Sequence, residues 1–169
     1  KTVAGQAFFQ CTELTDIQLP DSVVSIGNSS FYGCRSLRIL RLPETLEIIG
    51  NGALAYCSAL VEFNLPAGVR EIKSNPFPGC NALQRITATE GNPIYHSAGN
   101  CIIETASKTL IAGCKASVIP ADGSVTSIGE GAFEDCSSLT SVAIPDGVTR
   151  ISNYTFCGCS SLTSVTIGN

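Results

Sequence analysis

The sequence has no Met and no Trp, a single His, and charge on only 14% of its 169 residues. Each shortage excludes a class of function. With one imidazole available, any Ser-His or Cys-His nucleophilic pair must use His96, which sits between Tyr95 and Ser97 in a turn-rich segment and reads as a solvated loop side chain. No glycine-rich phosphate loop, paired carboxylates or nucleotide fingerprint occurs, so the chain reads as a non-enzyme without a cofactor. Ten basic against fourteen acidic side chains give a net charge of −4, so the basic surface that nucleic acid requires is missing. No apolar run approaches the roughly 20 residues of a membrane helix, and no membrane insertion is expected in this segment. What is abundant is apolar side chains, 44% of the total, giving a mean hydropathy of +0.25. So many inward-facing residues in a short chain suit repeats that bury their faces against one another.

The repeat is visible. Cys11, Cys34, Cys57 and Cys80 are each 23 positions apart, and Cys136 and Cys159 are separated by 23 again. On that period one column reads Leu14, Leu37, Leu60, Leu83, Leu139, Leu162, and another Ile17, Leu40, Phe63, Ile86, Val142, Val165. Two residues on come Leu19, Leu42, Leu65, Ala88, Ile144 and Ile167, followed in four rows by Pro20, Pro43, Pro66 and Pro145. The period-two alternation predicts a short strand with one buried face, which the proline ends because it cannot donate to a ladder. A second pair, such as Val23 and Ile26 or Val148 and Ile151, returns along the opposite side. Phe8, Phe31, Leu54, Phe77, Phe133 and Phe156 then stand just before each Cys, in a segment too short for more than a turn or two of helix. Such coils stack in parallel at about 4.8 Å per strand, and the core is a sum of neighbour interfaces.

One unit departs from the pattern. Phe77 and Phe133 are 56 residues apart, two periods and ten residues more. The strand-proline signature resumes at Ile119-Pro120, and the two runs Cys101–Glu104 and Thr109–Ala112 predict a hairpin that projects from or replaces one coil face. The expected organisation is therefore a single repeat domain over residues 1–169, with regular coils at 1–88 and 117–169 and an irregular coil at 89–116. Val3 and Phe8 fall in the Ile26 and Phe31 columns and no polar capping unit stands at either end, so the chain is expected to be part of a longer array.

The cysteines invite metal or disulfide readings, but their placement argues for packing. A Cys recurring once per coil directly after the aromatic column is a small buried ladder residue, and this reading covers Cys11, Cys34, Cys57, Cys80, Cys136 and Cys159, alongside Phe8, Phe31, Phe77, Phe133 and Phe156. Cys101 and Cys114 flank the hairpin, and an oxidising compartment would let them pair. Cys157 takes the place of Glu134 in another row and is expected to be exposed. Only Cys157-Gly158-Cys159 approaches metal-ligand spacing, a weak signal, so no metal is expected. Asn28-Ser29-Ser30 and Asn153-Tyr154-Thr155 match the glycosylation sequon, which matters only in a eukaryotic secretory setting.

The row L-x-x-V-x-I-P-x-x-V-x-x-I-x-x-x-x-F-x-x-C, from Leu139 to Cys159, resembles the BspA-like leucine-rich repeats of bacterial surface proteins, and the resemblance extends over essentially the whole chain. The Asn92-Pro93-Ile94-Tyr95-His96-Ser97-Ala98-Gly99 segment is similar to that family's N-P-x-Y-x-S-x-D-G, with Ala98 where an acidic residue is usual. The resemblance implies a right-handed leucine-rich repeat solenoid on an exported, cell-surface protein that adheres to host components, such as an extracellular matrix protein or a surface glycoprotein. The solvent side of the strand ladder is the favoured binding surface, a rigid array carrying Asp16, Gln18, Arg41, Glu62, Asn64, Arg85 and Thr87. Two roles fit, a non-catalytic module for adhesion or protein binding and a structural spacer or stalk displaying another domain. The spacer would tolerate charge reversal anywhere on its surface.

Overall fold

In the computed structural model, all 169 residues are described and form fifteen short strands with no helix. The first four coils contribute β1 (Thr2–Val3), β2 (Asp16–Gln18), β3 (Ser25–Ile26), β4 (Ile39–Arg41), β5 (Ile48–Ile49), β6 (Glu62–Leu65), β7 (Glu71–Ile72) and β8 (Arg85–Ala88). The irregular segment holds β9 (Tyr95–Ala98), β10 (Cys101–Glu104) and β11 (Thr109–Ala112). The chain closes with β12 (Ser127–Ile128), β13 (Ser141–Ile144), β14 (Arg150–Ile151) and β15 (Ser164–Ile167). Parallel partners such as Thr2 and Ser25, Asp16 and Ile39, Glu62 and Arg85, or Ser141 and Ser164 lie one repeat apart, so the sequence period is the pairing register. The chain is a solenoid of parallel strand ladders.

Each coil has three sides. The L-x-x-I-x-I run forms the front strands, β2, β4, β6, β8, β13 and β15, with Ile17, Leu40, Phe63, Ile86 and Val142 turned inward. The V-x-x-I run forms the return strands, of which β1, β3, β5 and β7 make one continuous parallel sheet. The third side carries the Phe column and is neither strand nor helix. Its coils are joined by bonds such as Phe8 N–H to Ser30 C=O (2.8 Å), Phe31 N–H to Ala53 C=O (2.8 Å) and Phe133 N–H to Thr155 C=O (2.9 Å).

Left-handed backbone conformations keep this side from winding into a helix. Two residues after the Phe column, Gln10, Gly33, Tyr56, Gly79, Asp135 and Gly158 all have φ between 53° and 73°. Two residues before it, Gln6, Ser29, Gly52, Gly131 and Tyr154 lie between 51° and 61°. A single left-handed residue ends a right-handed helical turn, and two per coil flatten the segment. The exception is Asn75, which Pro76 holds away from the α region. There the side chain takes over. Asn75 Oδ1 accepts from Phe77 N–H (2.9 Å), and Nδ2 donates to Gly131 C=O (2.8 Å) in the coil beyond the irregular segment. Tyr56 spans the same boundary by donating its hydroxyl to Asp135, and that hydrogen bond pushes its pKa up to about 12.

The expected hairpin is present as antiparallel β10 and β11, and it replaces a coil wall because β11 pairs in parallel with β12 (Thr109 with Ser127). A third antiparallel strand, β9, lies against β10 in a segment that the sequence marks mainly with turn residues. Tyr95 of this strand is buried and its hydroxyl accepts from Ile72 N–H (3.0 Å), capping the exposed end of the β1–β7 sheet. Ile119-Pro120, expected to resume the front strand, forms none. Ile119 is buried, but the backbone there turns to let Val118 N–H reach Gly99 C=O (2.8 Å). The core falls into two clusters that meet at β10, with Ile102 packed among residues of the first four coils and Cys101 and Ile103 packed with Phe133, Leu139 and Val142. This strand is buried on both faces, which is why Cys101-Ile102-Ile103 reads as a continuous apolar run.

All nine cysteines are free thiols. Of the cysteines expected in the ladder, Cys34, Cys57, Cys80 and Cys136 are buried and Cys159 is half-buried. Cys11, expected in the same ladder, is exposed. Phe8 and Phe156, in the outermost coils, are only half-buried, whereas Phe31, Phe77 and Phe133 are fully within the core. The column also does more than pack. Cys34 donates to Phe8 C=O (3.1 Å), Cys57 to Phe31 C=O (3.2 Å), Cys80 to Leu54 C=O (3.0 Å) and Cys159 to Phe133 C=O (3.1 Å), so each thiol occupies a carbonyl of the preceding coil. Burial pushes the thiol pKa of Cys80, Cys101 and Cys136 up to about 12 and that of Cys57 higher still, so these groups stay neutral. A disulfide-forming chromogenic thiol reagent at pH 8 is therefore expected to modify Cys11 and Cys157 quickly and the remaining thiols only after denaturation. Rapid loss of four or more thiols from the folded protein would contradict the buried ladder.

Candidate functional site

The front face is where the ladder is interrupted. β2 pairs with β4, and β6 pairs with β8, but no backbone hydrogen bond joins β4 to β6. The same two coils remain fastened on the return side, where Ile48 pairs with Glu71, and on the third side, where Leu54 N–H bonds to Pro76 C=O one coil further on and Phe31 N–H to Ala53 C=O. The opening is therefore local to the front. It coincides with the one aromatic residue in the inward front column, Phe63, whose ring meets Phe77 edge-on at 4.6 Å and 65°.

The result is a groove of about 490 Å³. Its floor is Leu40 and Phe63, and its walls carry Arg38, Ile39 and Arg41 from one coil against Glu62, Asn64, Arg85 and Thr87 from the next two. Five residues expected from the strand pattern, Arg41, Glu62, Asn64, Arg85 and Thr87, thus line one depression. Asp16 stands outside it and meets Arg41 at 3.4 Å, while Gln18 is exposed on β2 away from the groove. Arg38 was outside the expected set. Arg38 precedes the strand in sequence, at a position exposed in every row from Thr15 to Thr163.

Charge is unevenly spread here. Arg38, Arg41 and Arg85 are three of the six arginines in a chain of net charge −4, and Glu62 is the one acid lining the groove. Arg41 is paired with Asp16, but both side chains are about half exposed, and such a pair contributes little. Arg38 and Arg85 form no ion pair. At one end, Thr87 donates to Asn64 Oδ1 (2.9 Å) and Asn64 Nδ2 to Thr89 Oγ1 (2.8 Å), which fixes the amide orientation. A second hollow, about 550 Å³, lies on the return side between β7 and the β11–β12 pair. Lys73 stands there with Glu130 and Glu134, so it has no charge of one sign to offer.

His96, expected in a loop, lies on β9, half-buried, with Nδ1 2.8 Å from Thr105 Oγ1. No three His, Cys, Asp or Glu side chains are grouped to hold a metal ion, and no helix is long and apolar enough to cross a membrane.

A parallel-strand solenoid built on an L-x-x-I-x-I repeat and offering an exposed strand face defines a leucine-rich repeat protein. The chain belongs to the BspA-type leucine-rich repeat family, whose model matches it six times over residues 1–100 and 104–169. Among solved structures, it is similar to the pneumococcal vaccine antigen PcpA, with 25% identity and a TM-score of 0.80 over 93% of this chain and 40% of that one. It is also similar to a leucine-rich repeat protein of T. pallidum, with 30% identity and a TM-score of 0.58 over 98% of this chain and 62% of that one. A leucine-rich repeat protein of Eubacterium ventriosum shares the fold at 17% identity and a TM-score of 0.67, over 98% of this chain and 57% of that one. The chain thus spans less than two thirds of each of these proteins. No curated protein matches it significantly. Leucine-rich repeats of this kind are typically protein-interaction modules.

Proposed function

We propose that this chain is a non-catalytic interaction module of an exported bacterial protein, and that its front strand face binds a protein on the host or on a neighbouring cell. The observation that carries the reading is the groove between β4 and β6, where Arg38 and Arg85 stand unpaired on a surface of an otherwise acidic chain. Arginine is enriched at protein interfaces because its planar fork recognises carboxylates and carbonyls at low ordering cost. An extracellular location is supported by the family resemblance and by the description of the pneumococcal relative as a vaccine antigen. Candidate partners are matrix proteins and surface glycoproteins.

The test is biolayer interferometry of the purified chain against extracellular matrix proteins, mucins and glycans, with the wild type and Arg41→Glu/Arg85→Glu side by side. Saturable binding lost in the folded double variant is the expected result. Arg41→Glu alone should change stability by no more than about 0.5 kcal/mol in a denaturant titration, as is usual at exposed positions. No binding to any panel member would favour the spacer role, and saturable binding indifferent to both reversals would overturn the front face as the binding surface.

A further inference from the structure

We infer that the gap between β4 and β6 accepts an extended acidic peptide segment of a partner protein as an added strand. This rests on the reading of the front face as a protein-binding surface and specifies its partner and mode. In β6, Val61 and Leu65 carbonyls accept from Arg85 N–H (3.3 Å) and Thr89 N–H (2.8 Å), so the odd-numbered residues present their backbone groups to the coil of β8. Alternation along a strand then turns the N–H and C=O groups of Glu62 and Asn64 toward the gap. In β4, Ile39 N–H reaches Thr15 C=O (3.2 Å) and Arg41 C=O receives Leu19 N–H (3.0 Å), so it is Leu40 whose backbone groups face the gap from the other side. Two strand edges with unpaired donors and acceptors thus flank one slot, while the return sheet holds the two coils together behind it. Strand edges of this kind recruit extended peptides through main-chain hydrogen bonds, and pockets for alternate side chains supply specificity.

The side chains around the slot specify the peptide. A strand seated there points every second side chain outward, among Arg38, Arg41 and Arg85, and the others inward, onto Leu40 and Phe63. Three guanidinium groups against the Glu62 carboxylate select outward Asp or Glu, and the apolar floor selects inward aliphatic residues. The partner segment is an alternating acidic and apolar strand.

A fluorescein-labelled decapeptide of alternating Glu and Val tests this by fluorescence anisotropy, together with amide hydrogen exchange followed by NMR. Two controls accompany it, the same peptide with Lys for Glu and the Glu-Val peptide N-methylated at every second residue. We expect saturable binding of the Glu-Val peptide, at least tenfold weaker binding of each control, and at least tenfold slower exchange of the Leu40, Glu62 and Asn64 amides in the complex. No binding, undiminished binding of the N-methylated peptide, or binding without protection of these amides overturns strand addition. The two readings fail separately. If strand addition is overturned while a protein from the interferometry panel still binds in a manner lost in Arg41→Glu/Arg85→Glu, the front face remains a binding surface by another mode. If that binding is absent as well, both readings fall.

Discussion

Replacing Phe133 with Ala is expected to lower the unfolding free energy by about 3–5 kcal/mol, the usual cost of truncating a fully buried aromatic side chain. The ring has no exposure, stacks on Phe156 at 5.4 Å and 17°, and packs in the cluster with Leu139 and Val142. The size of the effect depends on whether the surroundings can close over the void. Here they are pinned by the backbone on both sides, through Gly113 N–H to Ala132 C=O (2.9 Å) and Phe133 N–H to Thr155 C=O (2.9 Å). A urea midpoint equal to that of the wild type would remove Phe133 from the core.

The second large effect concerns the residue that makes room for that ring. A Cβ at Gly113 would lie 2.2 Å from Phe133 Cε1 and 2.5 Å from Cζ, well inside contact distance. Gly113 carries no left-handed φ, so the requirement for glycine is one of space. Gly113→Ala should therefore destabilise the protein by about 1–3 kcal/mol through overpacking. In the Phe133→Ala background the same substitution meets a void, and its cost should vanish or reverse. Denaturant titrations of the two single variants and the double variant measure the coupling as a double-mutant cycle. Additive costs would mean that the two residues do not share the space.

These two residues also mark how far the sequence could be read. The repeat declares itself because an inward column must be apolar in every row, so Leu37, Leu60 and Leu83 or Phe31 and Phe133 align without any knowledge of the fold. The hairpin was legible for the same reason, since Thr109–Ala112 alternates and Cys101–Glu104 is a short apolar run bounded by turns. The non-helical third side was not, because its left-handed positions are occupied by Gln6, Gln10, Ser29, Tyr56, Asp135 and Tyr154 as well as by glycine. Strand β9 was missed because Ser97 and Ala98 carry no apolar alternation.

For the candidate site, the strand pattern named the outward residues but gave no sign that the ladder opens. Rows two and three keep the same L-x-x-x-x-L-P frame, and a pairing register is a property of two strands together. The exchange of Leu40 for Phe63 in one column was the only available hint, and a bulky residue in a column is ordinarily absorbed by repacking. Arg38 was missed because it lies one residue before its strand, outside the period-two pattern, although that position is exposed in every row.

The position of β10 bears on how the molecule comes apart. In a uniform array each coil contacts only its neighbours, so loss of structure can spread stepwise from an end. Ile102 and Ile103, adjacent in one strand, anchor opposite clusters, so withdrawing that strand strips a wall from both at once. Either half can fray at its far coils, but neither can dissolve at the junction without undermining the other. The irregular coil thereby makes one cooperative unit of what the repeat alone would leave as a row of separable layers.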